Sequence, residues 1–276
     1  MKLLGTLKPV IGMCHLPPLP GAPRYAGGGL AAARDFLLRD AEALVQGGVD
    51  ALMIENFGDA PFFPGPVPPA TIAAITVLAA EVRRQFDRPL GVNVLRNDGR
   101  AALAAAVAAG ADFIRVNILS GARVTDQGVV TAIAHDLLRD RAALRAESVH
   151  VFADVDVKES QPLGAPPSIE DEIDDVVHRG LADAVIVSGA NTGDAARVDL
   201  VRRAHLAVHR LAGHESGARP ALLLGSGVNR ENLPNYWTLA DGFIVGTALK
   251  HDSRPHAPVD AGRVASFMWQ VCELRR

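Results

Sequence analysis

Cysteine is almost missing from this chain of 276 residues: only Cys14 and Cys272 occur. That excludes a disulfide scaffold and fits a reducing compartment. Lysine is scarce as well, at Lys2, Lys8, Lys158 and Lys250, and arginine supplies most of the positive charge. With 28 basic and 31 acidic residues the formal net charge is −3, so there is no broad basic field for nucleic acid or anionic lipid. No apolar run approaches the about 18 residues of a membrane span. The first ten residues, mixed in character and interrupted by Lys8 and Pro9, do not read as a signal peptide. A cytoplasmic protein is the expectation.

What the chain has in quantity is apolar residues, 49% against 21% charged, which is ordinary globular composition. Short apolar runs mark strands at 9–15, 51–55, 90–94, 113–117, 149–154, 184–187, 221–224 and 242–245. Such continuous runs suit strands buried on both faces. Between them lie helix signals at 30–46, 70–85, 99–109, 129–144, 195–212 and 261–274, with a short helix after 228. Another helix opens at Ser168-Ile169-Glu170-Asp171, which resembles a capping box. Eight strands alternating with eight helices predict one α/β domain over 1–276, a (β/α)₈ TIM barrel of the phosphate-binding type.

An internal repeat supports that count. Asp50, Asp112, Asp183 and Asp241 each begin the same unit, an aspartate followed by an apolar strand, on strands two, four, six and eight. Lying before their strands, at the bottom of a barrel, they are expected to be structural caps. The functional candidates lie at the opposite end, where the strands finish: His15, Glu55, Asn56, Asn93, Arg115, Asn117, Asp154, Asp156, Lys158 and Ser188. Cys14, adjacent to His15 in an extended strand, should face the other way and belong to the core.

The strongest local signal is the pair Gly225-Ser226-Gly227 and Gly246-Thr247, which end strands seven and eight. Glycines there let backbone N–H groups approach an anion, and the loops after these two strands form the recurrent phosphate site of such barrels. Gly227→Asp is therefore expected to abolish phosphate-ligand binding in a folded barrel. In Asp154-Val155-Asp156-Val157-Lys158 a period of two would put both acids and the lysine on one side, if the strand stays extended. His15, Glu55, Asp154 and Lys158 are the catalytic candidates, for proton transfer or imine formation. The others, Asn56, Asn93, Arg115, Asn117, Ser188 and the two glycine motifs, would hold the substrate. His15, Glu55, Asp154 and Asp156 could alternatively ligate Mg²⁺ or Mn²⁺.

The segments 10–21, 55–62, 91–98, 115–117, 152–155, 225–228 and 242–247 together resemble the BtpA/SgcQ family, in order and over nearly the whole chain. The resemblance implies a phosphate-binding TIM barrel, in agreement with the residue pattern. It also implies two roles: biogenesis of photosystem I in cyanobacterial members, and sugar metabolism in SgcQ-like members. One departure falls in the fifth-strand segment, where histidines are expected and this chain has Asp156 and Glu159. The functional expectation is a protein that binds a small phosphorylated metabolite of sugar-phosphate type, with isomerase, lyase or hydrolase chemistry. The alternative is a noncatalytic assembly or stability factor for a protein complex. Pairing of two copies through the outer helices is also expected.

Overall fold

Eight parallel strands hydrogen-bond in chain order and close on themselves in the computed structural model, which describes residues 2–211 and 219–276. They are β1 (Val10–His15), β2 (Ala51–Glu55), β3 (Leu90–Asn93), β4 (Phe113–Val116), β5 (His150–Val155), β6 (Ala184–Val187), β7 (Ala221–Leu224) and β8 (Gly242–Val245). Closure is made by β8 against β1, with Phe243 opposite Val10 and Ile244 opposite Ile11. Helices α1 (Gly29–Gln46), α2 (Pro69–Gln85), α3 (Gly99–Ala109), α4 (Ala134–Ala143), α5 (Ile169–Asp174), α6 (Val198–Arg210), α7 (Leu233–Tyr236) and α8 (Ala261–Arg275) alternate with the strands.

The apolar runs divide by period two into two cores. Ile11, Met13, Ala51, Met53, Phe113, Phe152, Ile186, Leu223 and Ile244 pack together inside the barrel. Their neighbours, Cys14, Ile54, Val92, Ile114, Val151, Val185 and Leu222 among them, pack outward with the helices. Cys14 therefore faces away from His15, and burial raises the pKa of its thiol. Gly91 is required where it stands, because a Cβ there would lie 2.1 Å from the Phe113 ring.

The four repeat aspartates build a belt beneath the barrel. Each accepts a hydrogen bond from the N–H of the first or second residue of a neighbouring strand: Asp50 from Val10, Asp112 from Leu90, Asp183 from Val151 and Asp241 from Leu222, at 2.7–2.9 Å. Each also meets an arginine, respectively Arg275, Arg83, Arg141 and Arg219. Asp241→Ala, which strands Arg219 and the Leu222 N–H together, is expected to cost about 2–4 kcal/mol in urea unfolding. Burial alone would raise the pKa values of Asp183 and Asp241, but it is outweighed, for Asp241 by Arg219 and the Leu222 N–H and for Asp183 by His150 and the Val151 N–H. Both carboxyls thus sit below the ordinary 3.8. Their stabilisation is present above that value and lost as the pH falls through the lower folded value. The urea midpoint should fall with acidification below about pH 4, and less steeply in Asp241→Asn.

Two sequence expectations change. The helix expected over 129–144 is shorter, because Gly128–Thr131 forms a hairpin with Ala122–Thr125, joined on its far side by Ser160–Pro162. The β-branched run Val129-Val130 and the turn glycine Gly128, with φ +98°, favour strand over helix there. The fifth strand also stops at Val155. Asp156 follows with φ +48°, so the extended alternation expected to carry it to the same side as Asp154 is broken.

Candidate active site

The inward face of the barrel continues one step beyond the apolar layers, and there it becomes polar. His15 on β1, Glu55 on β2, Asn93 on β3, Arg115 on β4 and Asp154 on β5 stand at the last or next-to-last position of their strands, two residues beyond a glycine or an inward apolar residue. Ser188, Gly225 and Gly246 continue β6, β7 and β8 in the same register. The mouth is therefore a ring with one residue per strand, and it is uneven: large side chains fill most of it, and a cavity opens beside its two glycines.

On the filled side, Arg115 donates to Asp154 from Nη2 at 2.9 Å and from Nε at 3.2 Å. The Asn117 amide also donates to Asp154, and the Asn93 amide donates to the Arg115 carbonyl at 2.9 Å. Both Asp154 oxygens are thus occupied. Asn93 Oδ1, Asn117 Oδ1 and Ser188 Oγ are buried and have no hydrogen-bond partner among the described residues, an energetically expensive state.

On the open side lies a small cavity of about 130 Å³ between the loops after β5, β6, β7 and β8. One wall is Gly225, Ser226, Gly227, Gly246 and Thr247, completed by Thr192 and Gly193 from the β6 loop. Among the described residues, the N–H groups of Gly227 and Gly246 donate to no backbone carbonyl. The Ser226 hydroxyl donates to Asp194 O at 3.1 Å, so its side chain ties two loops together. The opposite wall carries His15, Glu55, Arg115 and Lys158.

The electrostatics of that wall follow from burial. Glu55 has a raised pKa because it is desolvated, a tendency that Arg115 and Lys158 oppose. Lys158 has a lowered pKa from burial first and from the Arg115 charge second. His15 is pushed down to about 3 by burial and by the Lys250 charge, and so is neutral at ordinary pH. Its Nδ1 lies 2.9 Å from the Pro255 carbonyl. A carbonyl can only accept, so Nδ1 carries the proton and Nε2 presents a lone pair 3.9 Å from Glu55 Oε1. Phe57 stacks on the imidazole at 4.5 Å between centroids.

The structure thus brings His15, Glu55, Arg115, Lys158 and the two glycine motifs around one cavity; Asn93, Asn117, Asp154 and Ser188 are buried in the ring beside it without lining it, and Asn56 and Asp156 stand apart. Asn56 is used on both sides, accepting from the Leu95 N–H at 2.7 Å and donating to Asp59 at 3.2 Å. Asp156 is exposed and meets Arg123 at 3.4 Å. That corrects its place in a set of metal ligands with His15, Glu55 and Asp154: among the described residues no three His, Cys, Asp or Glu side chains converge to hold a metal. The Gly227→Asp expectation is also corrected. Gly227 has φ +69°, and a Cβ there would lie 2.0 Å from Asp194 O, so the substitution would displace the β6 loop as well as any anion. Thr192, Gly193, Phe57 and Pro255 were missed. The Asn191-Thr192-Gly193-Asp194 turn after β6 was a legible signal, whereas a carbonyl 240 residues from its histidine leaves none.

The profile of the BtpA family matches residues 6–273. The chain belongs to the BtpA family. An uncharacterized protein of Thermococcus kodakarensis is 45% identical over 269 residues, covering 98% of this chain and 97% of its own length. The photosystem I biogenesis protein BtpA of Synechocystis is 39% identical over 268 residues, covering 97% and 89%. Among solved structures, N-(5'-phosphoribosyl)anthranilate isomerase from Pyrococcus furiosus superposes with a TM-score of 0.56 at 12% identity, covering 96% of this chain and 99% of its own. At that identity the likeness shows the barrel fold alone. No helix among the described residues is long and apolar enough to cross a membrane.

Proposed function

We propose that this BtpA-family barrel is an enzyme that binds a small phosphorylated metabolite of sugar-phosphate type and moves protons on its carbon skeleton. The observation that carries the reading is one cavity with two unlike walls. The Gly227 and Gly246 N–H groups, left without backbone acceptors, and the Thr247 N–H beside them are the donors a phosphate needs. The facing wall holds a neutral imidazole with a bare Nε2, a carboxyl biased toward its protonated form and an amine biased toward its neutral form.

In this reading the phosphate anchors one end of the substrate and lays the neighbouring carbons over Glu55 and His15. Glu55 moves a proton between two substrate atoms, and His15 Nε2, too weak a base at a pKa of about 3 to take one itself, accepts a hydrogen bond. Isomerisation and aldol-type cleavage both need such a proton carrier, and hydrolysis would use the same Nε2 to orient a water. Lys158 either polarises a carbonyl or, in its neutral form, attacks it. The resemblance of the barrel to that of an isomerase whose name carries a phosphoribosyl group is consistent with this class. Large exposed apolar side chains, Val77, Val107, Leu206 and Trp269, fall on four different helices, and nothing in their placement favours an assembly factor.

A thermal-shift screen against phosphorylated sugars, nucleotides and inorganic phosphate, with and without Mg²⁺ or Mn²⁺, tests the reading. A ligand at a hundred times its Kd should add about 2.7 kcal/mol to stability. A rise confined to phosphorylated compounds is expected, with the unphosphorylated sugars inert. No shift across the panel would contradict the proposal.

A further inference from the structure

Lys250 is completely buried, an unusual place for a strongly hydrated ammonium. Its Nζ lies 3.2 Å from Asp40 Oδ2 on α1 and donates to the Ala257 carbonyl at 3.1 Å. The other Asp40 oxygen accepts from the Val259 N–H at 2.8 Å. Lys250 and Val259 also pair with each other across the base of the loop between β8 and α8. The pair therefore grips both ends of one loop and fastens them to a helix on the outside of the barrel. An apolar pair could fill the same space but could not hold the Ala257 carbonyl and the Val259 amide.

The tip of that loop touches the site at three places. Ser253 lines the cavity, the Pro255 carbonyl receives His15 Nδ1–H, and the His256 ring lies 4.9 Å from Phe57, which stacks on His15. In water a neutral imidazole favours the tautomer protonated on Nε2. The opposite tautomer, which turns a lone pair toward Glu55, needs an acceptor held at Nδ1. We propose that the buried Lys250–Asp40 pair is a positioning device for His15: it fixes the β8 loop so that the Pro255 carbonyl dictates the tautomer and leaves Nε2 free as a hydrogen-bond acceptor. The inference rests on the reading of His15 as a member of the site, and it concerns residues that never touch the substrate.

The test is ¹⁵N NMR of the histidine side chains, without added ligand, in the wild type, Lys250→Arg, Asp40→Asn and the double variant Lys250→Met with Asp40→Leu. The double variant avoids leaving one charge buried alone, a change that proteins generally tolerate in folding. His15 in the wild type and in Lys250→Arg should show Nδ1–H only. In the double variant, and to a lesser degree in Asp40→Asn, it should shift to a mixture dominated by Nε2–H. Wild-type His15 protonated on Nε2 would overturn the proposal, as would either folded variant that keeps the pure Nδ1–H form. Because no phosphate compound is present, a failed thermal-shift screen beside a tautomer switch would sink the phosphate reading and leave this one standing.

Discussion

Gly246→Asp is expected to weaken binding of a phosphorylated ligand by roughly 10²-fold while the barrel stays folded. Gly246 has φ −120°, outside the left-handed region that is reserved for glycine. A Cβ there would meet Met13 Cβ at 3.2 Å and His15 Cε1 at 3.3 Å, tight but free of backbone clash. A carboxylate about 5 Å from a bound phosphate, at an effective dielectric near 20, contributes a repulsion of about 3 kcal/mol, which is the stated loss. Gly246→Ala separates charge from bulk and should change affinity by no more than a fewfold. Calorimetric titration with whichever compound raises the melting temperature would measure both. Equal affinity in the aspartate variant and the wild type would remove the phosphate from the β7 and β8 loops.

The second large effect is one of stability. Asp154→Ala leaves the Arg115 guanidinium, with 3% of its side chain exposed, without its partner in the middle of the mouth. Breaking a buried pair in this way costs about 3–5 kcal/mol. Replacing both partners by apolar residues, Arg115→Met with Asp154→Leu, should recover most of that stability while still losing ligand affinity. Urea unfolding of the three proteins checks the first statement and titration checks the second. An Asp154→Ala variant within about 1 kcal/mol of wild type would mean that the ion pair contributes little to holding the ring.

The barrel was legible in the sequence because its determinants are local: apolar runs, helix caps such as Ser168 and Asp98, and the aspartate that begins every second strand. The belt function of those aspartates was legible in kind, although their arginine partners, 22 to 225 residues away, were not. The ring of strand-end residues could be read from period two as far as each strand lasts. That reading failed at Asp156, because the strand ends at Val155 and Asp156 itself is left-handed. Asn56 could not be told from a substrate ligand, since its partner Leu95 is 39 residues on. Gly227 looked like a phosphate glycine and nothing more, because the crowding by Asp194 exists only once two loops meet. The BtpA-family resemblance and the fold of its members were visible in motifs that span the chain, and the profile match over 6–273 agrees with them.

The most direct test of the central claim is a crystal structure of the wild-type protein grown or soaked with inorganic phosphate. The account predicts an anion bound by the Gly227, Gly246 and Thr247 N–H groups, on the side of the cavity facing Lys158 and Glu55. An empty cavity at saturating phosphate, or an anion seated elsewhere on the barrel, would contradict it.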